Sequence, residues 1–164
     1  PRSAHADHES VSGRRVIPLE LVWIEADDPR MAQVHALRHE ALFAPFGISR
    51  DDRWDDAGED RCHLAALSDG EVVGYACLLL DAEGGGHLRQ VSVWPALQRS
   101  GVGRALMLEA EAEAMRRGLR LLWLNARVTA EPFYHRLGYA TVSGVFPSGR
   151  TGVPHVRMEK RPAR

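Results

Sequence analysis

The chain has 164 residues, 45% of them hydrophobic and 26% charged, with a net charge of −1. That length supports one core without disulfides or metal, the near-neutral charge argues against bulk attraction to nucleic acid or anionic lipid, and no run of about 18 apolar residues is present to span a membrane. Cys62 and Cys77 have neither C-x-x-C spacing nor a His cluster beside them, so they read as reduced thiols of a cytoplasmic protein, with no metal expected.

Residues 1–16 are polar and without period, which predicts a disordered leader; residues 17–164 are predicted to form a single domain. Leu19 to Ile24 alternates as a first strand. Asp28 followed by Pro29 marks a helix start, and Met31, Val34, Leu37 and Ala41 give an apolar stripe that Pro45 and Gly47 end. The run Asp51 to Asp60 carries six acids. It reads as a solvated loop, or as a negative rim in which Asp51, Asp52, Asp55 and Asp56 draw a cationic substrate.

Arg61 to Leu67 and Glu71 to Leu80 flank Ser68-Asp69-Gly70 and predict a hairpin. Glycines between Asp81 and Gly86 turn the chain into another strand at His87, completing an antiparallel meander. Gly101 and Gly103 open a helix, with Val102, Ala105, Leu108, Ala112 and Met115 predicted inward and Glu109, Glu113, Arg116 and Arg117 outward. Gly118 ends it. Leu119 to Asn125 reads as a strand covered on both faces, Ala130 to Leu137 as a short helix, and Ala140 to Val145 and His155 to Lys160 as closing strands. The expected class is α/β (α+β), a mixed sheet of six to seven strands with helices on both faces.

Between the strand at His87 and its following helix lies Gln98-Arg99-Ser100-Gly101-Val102-Gly103. A helix start carries unpartnered N–H groups and the positive end of the macrodipole, so it takes anions. A Walker loop fails here, because Arg104 and Ala105 stand where Lys and Ser or Thr are required. The dinucleotide fingerprint is weakened by Leu106. An ordinary Gly-rich turn remains open.

The loop resembles the Q/R-x-x-G-x-G/A segment of the GCN5-related N-acetyltransferases. Downstream, Ala130 to Tyr139 resembles that family's A-x-x-F-Y-x-x-x-G-F segment, and Gly152 to Met158 resembles the G-I-P-H-x-x-M ending of its small ElaA-like branch. Leu37-Arg38, Phe43 and His63 are also similar. Gln98 and Tyr139 stand where Arg and Phe are commoner.

The resemblance implies acetyl-CoA as co-substrate, lying between splayed strands against the backbone of Val91, Ser92 and Val93. Its pyrophosphate would sit on Gln98, Arg99, Ser100, Gly101, Val102, Gly103 and Arg104, and Asn125 and Phe133 would also contact the cofactor. Tyr134 would give a proton to the departing sulfur, since a phenol is neutral at pH 7. The alternative is an aromatic pair with Phe133 that packs the short helix. The base is not evident: Glu40, His63 and His155 are candidates, His155 foremost, and water could relay the proton. The implied activity is acetyl transfer to a primary amine of a small molecule or peptide, with a homodimer left open. A non-catalytic acyl-CoA binding or sensing domain is the alternative.

Overall fold

The computed structural model describes residues 17–51 and 54–162. The predicted leader lies outside the described residues, as do Asp52 and Arg53. Four antiparallel strands come first: β1 (Glu20–Ile24), β2 (Arg61–Ser68), β3 (Glu71–Leu80) and β4 (Gly85–Val93). The β2–β3 turn has positive φ at both Asp69 (+49°) and Gly70 (+78°), as a two-residue hairpin loop of matching twist requires. Helix α2 (Val102–Arg116) then crosses over to β5 (Leu121–Arg127), which is parallel to β4. After α3 (Glu131–Arg136), β8 (Pro154–Lys160) runs antiparallel to β5 and pairs with the short β6 (Ala140–Thr141) and β7 (Phe146–Pro147).

Helices cover both faces of the sheet, as expected. Between β1 and β2, α1 (Met31–Arg38) lays Met31, Val34 and Leu37 against Ala65, Leu67 and Tyr75. Val34 and Leu37 are wholly buried, each contributing about 1.5–3 kcal/mol. The Asp28 carboxylate accepts the Arg30 N–H at 2.8 Å, satisfying one donor at the predicted helix start. The same coil continues through a π-helical turn, His39–Phe43, and a 3-10 turn, Ala44–Phe46, before Gly47 ends it at φ +69°. On the other face lie α2 and α3, over Leu78, Leu88, Leu122, Leu124 and Met158.

Three sequence expectations are corrected. Helix α2 buries Val102, Leu106, Met107, Ala110 and Ala114, leaving Leu108 45% and Met115 50% exposed. The helix carries two interleaved apolar stripes, and β3 selects between them at Gly74. A Cβ there would lie 2.7 Å from Val102 Cγ1 and 3.0 Å from Leu106 Cδ1, so Gly74 opens the groove that the Leu106 stripe fills. Glu109, read as outward, accepts the Trp23 indole N–H at 3.1 Å. The predicted strand Ala140 to Val145 stops at Thr141 because the Ser143 hydroxyl accepts the Arg157 N–H at 2.8 Å, and Val145 ends 66% exposed.

Strand β5 is helix-covered on one face only. Leu122, Leu124 and Ala126 are buried, while Asn125 is exposed. Trp123 shields itself by stacking on His87 at 3.5 Å, with the Arg157 guanidinium 4.0 Å from its ring. Burial, aided by Arg89 and Arg157 and opposed by Asp81, holds the His87 pKa at about 4 instead of 6.5. The unfolded chain therefore takes this proton first, so the stability contribution is complete above pH 6.5 and is lost as pH falls toward about 4. A melting-temperature series across that window should fall less steeply for His87→Phe than for the parent; equal slopes would remove His87 from the acid response.

Candidate active site

Strands β4 and β5 pair only from Gly85 to His87, opposite Leu121 to Trp123, and then diverge. The cause lies in β4. Its register against β3 steps from Arg89 opposite Cys77 to Ser92 opposite Tyr75, so Gln90 and Val91 together face Ala76, and Gln90 takes φ +55°. Such a bulge bends and twists a strand. The Ser92 hydroxyl donates to the Gln90 carbonyl at 2.7 Å inside this bend.

The divergence opens a cleft of about 310 Å³. Val91, Ser92 and Val93 line one wall, Asn125 and Arg127 the other. Tyr134, Gln98, His155, Ser148, Thr151 and the Ala41–Phe43 turn complete it.

At one end of the cleft the chain passes from Gln98 into α2. Arg99 (φ +67°) and Gly101 (φ +92°) turn the backbone through the left-handed region, and the Ser100 hydroxyl donates to the Leu97 carbonyl. No side chain caps α2, leaving first-turn N–H groups open to an anion. Nothing lies within 4 Å of a Cβ placed on Gly101, whereas one on Gly103 would approach Phe133 Cζ at 3.3 Å. This uncapped, glycine-flanked start suits a pyrophosphate. Val102 is buried and offers only backbone there.

Tyr134 is buried with its ring edge-on to Phe133 at 4.9 Å and to Tyr139 at 5.9 Å. Burial pushes its pKa up to about 12, against the pull of Arg127, so the phenol keeps its proton throughout the physiological range. Its hydroxyl has no hydrogen-bond partner among the described residues, which leaves it able to donate.

The three candidate bases separate. His155 lines the cleft, and its Nδ1 lies 2.7 Å from the Val153 carbonyl. A carbonyl only accepts, so Nδ1 carries hydrogen and Nε2 is left as the basic nitrogen. His63 is buried with both nitrogens engaged: Nε2 donates to the Asp56 carbonyl at 2.9 Å, so Nδ1 accepts the Tyr75 hydroxyl at 2.7 Å. Glu40 is exposed and does not line the cleft. The geometry removes both from the set of bases.

The acidic run also differs from expectation. Asp56 is pulled inward to a bidentate pair with the fully buried Arg38, at 2.8 Å on each oxygen, and it takes His35 Nε2 at 3.1 Å. Asp55 pairs with Arg61 at 2.7 Å. Neither is a free rim charge. The Arg38 guanidinium stacks 4.0 Å from Trp54 and 4.9 Å from Tyr75, and donates to Gln90 Oε1 at 2.7 Å. Arg38, held by an acid eighteen residues away on the chain, thus ties α1 to the bulge that opens the cleft. Composition alone made the run look solvated; an Arg within the otherwise apolar Val34–Ala41 stripe was the available signal that a buried carboxylate must exist.

A model of the GNAT acetyltransferases matches residues 31–139. The chain belongs to this acetyltransferase family. Among curated relatives, the uncharacterized N-acetyltransferase YjcF of Bacillus subtilis (strain 168) is 24% identical, the match spanning 84% of this chain and 96% of YjcF. Escherichia coli ElaA has a TM-score of 0.73 at 21% identity, covering 88% of this chain and 100% of ElaA. An aminoglycoside 6′-N-acetyltransferase solved with coenzyme A has a TM-score of 0.74 at 19% identity, covering 88% and 98%. At such identities these structures share the fold. The GNAT assignment agrees with the family expected from the loop and the Ala130 to Tyr139 segment. It displaces the dinucleotide reading, whose sheet is parallel: here β4 and β5 alone run parallel among the described strands.

Proposed function

We propose that this GNAT chain moves an acetyl group directly from acetyl-CoA to a primary amine in the cleft between β4 and β5. The observation that carries the reading is a neutral, buried phenol with no hydrogen-bond partner among the described residues, lining a cleft whose other end meets an uncapped helix start. Acetyl-CoA supplies the thioester. The backbone of Val91, Ser92 and Val93, which β5 leaves unpaired, holds the pantetheine amides as it would an added strand. The N–H groups of Val102, Gly103 and Arg104 receive the pyrophosphate, Arg99 and Arg104 add charge, and Gln98, Ser100 and Gly101 shape the turn. Asn125 faces the pantetheine from β5, and Phe133 backs both Gly103 and Tyr134.

An amine of pKa near 10.4 is protonated at pH 7, and exposing its lone pair costs about 4.6 kcal/mol. His155 Nε2, directly or through water, takes that proton. The nitrogen then forms its bond to the acetyl carbon as the carbon–sulfur bond breaks, Tyr134 gives its proton to the sulfur, and the second proton lost by the nitrogen as it becomes an amide returns through water to the Tyr134 oxygen. A CoA thiol of pKa about 8.5 leaves tolerably well unaided, so Tyr134→Phe is expected to reduce kcat by only about 10–100-fold with little change in acetyl-CoA affinity. With a phenol pKa near 12, Tyr134 should produce no loss of kcat with rising pH until that value is approached. Unchanged kcat under conditions where chemistry limits turnover would leave Tyr134 as a packing residue.

The overall reading is tested by following thiol release from acetyl-CoA across an amine panel. Saturable release that requires both the amine and the protein is expected. Stoichiometric CoA binding without release for any amine would favour the acyl-CoA binding domain instead.

A further inference from the structure

The acceptor end of the cleft is positive. No Asp or Glu is among its described lining residues, whereas Arg127 projects into it from β5. Arg127 Nη2 donates to the Leu42 carbonyl at 3.2 Å, and the guanidinium lies 5.0 Å from the Phe46 ring. No carboxylate among the described residues is within ion-pair distance. Arg150, at the same mouth, lies 4.4 Å from the Phe43 ring. Two acids of the 51–60 run are engaged elsewhere: Asp56 with Arg38 and His35, Asp55 with Arg61. Ser148 and Thr151 add hydroxyls to the same wall.

A half-buried guanidinium that meets one carbonyl and one ring face keeps most of its donors unused. Burial already works against its charge and pulls its pKa down. A carboxylate brought in by a ligand would match the planar fork with two parallel hydrogen bonds, a geometry that Lys does not provide. The amine to be acetylated must meanwhile lie near Tyr134, which lines the same cleft as Arg127.

Building on the acetyl-transfer reading, the geometry points to an acceptor amine that also bears a carboxylate, with Arg127 as the residue that selects it. This differs from the negative-rim alternative for the acidic run, in which the acceptor would be cationic. The acceptor class is that of amino acids and of peptides whose carboxylate lies near the reacting amine. Arg127 acts on specificity by binding the carboxylate; proton transfer remains with Tyr134 and His155.

The test compares a panel of free amino acids with the corresponding amino-acid amides, in which the same amine lacks the carboxylate. With the full chain and acetyl-CoA, kcat/KM should favour at least one acid over its amide by about 10–100-fold, chiefly through KM. Arg127→Gln should bring acid and amide together, and Arg127→Lys should restore part of the difference. A parallel titration measures binding of the same acids and amides to the CoA-saturated chain, so the acceptor proposal is tested even if no acetyl transfer occurs. Loss of transfer with the binding preference intact would fault the reaction and keep the acceptor site. The proposal is overturned if no acid is preferred over its amide in either measurement, or if Arg127→Gln weakens both to the same extent, which would make Arg127 a strut across the cleft.

Discussion

Asp56→Ala is expected to destabilise the chain by about 3–5 kcal/mol, because it leaves the fully buried Arg38 without its counter-charge. For a domain of this size that is a fall in Tm of about 6–20 °C. Burial works to raise the Asp56 pKa, but the hydrogen bonds and charge of Arg38, with His35 and His63, hold it below the ordinary carboxylate value. Its contribution is therefore present above the unfolded pKa near 3.9 and is lost as pH falls through the lower folded value. The parent should lose this part of its stability only in strong acid, and the variant should lack it at every pH. Arg38→Met combined with Asp56→Leu removes both charges and should recover much of the stability. It also removes the hydrogen bond to Gln90 at the bulge, so kcat should fall below the parent's even as the Tm returns. A Tm unchanged by Asp56→Ala alone would show that the pair is not a structural tie.

The second large effect is expected at Gly101. Its φ of +92° precedes the first turn of α2, and a β-branched residue there is strained. Gly101→Val should turn the start of α2 away and lose two or more hydrogen bonds to the pyrophosphate. At about 1.5–3 kcal/mol for each such bond, affinity for acetyl-CoA should fall at least about a hundredfold. The space around Gly101 is open, so the fold should survive with a modest loss of Tm. Gly103→Val is a different experiment, since its side chain would press on Phe133 and through it on Tyr134. Calorimetry that finds parental acetyl-CoA affinity in Gly101→Val would remove the α2 start from the binding site.

Local chemistry made much of this architecture legible. Asp69-Gly70 dictates its turn, and the Met31, Val34 and Leu37 stripe faces inward as its spacing requires. Gly101 and Gly118 both take the positive φ that their places at the ends of α2 demand. What the sequence concealed depends on partners distant along the chain. Leu106 and Leu108 are equally apolar, and only Gly74 on a neighbouring strand decides which is buried. Asp56 looks like its acidic neighbours until Arg38 is seen beside it. The bulge at Gln90 carries no glycine to announce it. Arg127 ends an apolar strand as an ordinary surface cation would, and the proposed role rests on the lack of Asp and Glu among the described residues that line the cleft with it.

If acetyl-CoA lies along the β4 edge freed by the splay and at the start of α2, amide hydrogen exchange measured with and without saturating acetyl-CoA should slow at Val91 to Val93 and Val102 to Arg104 and leave β1 and β2 unaffected. Unchanged exchange at both segments under saturation, or protection confined to other strands, would rule out that placement.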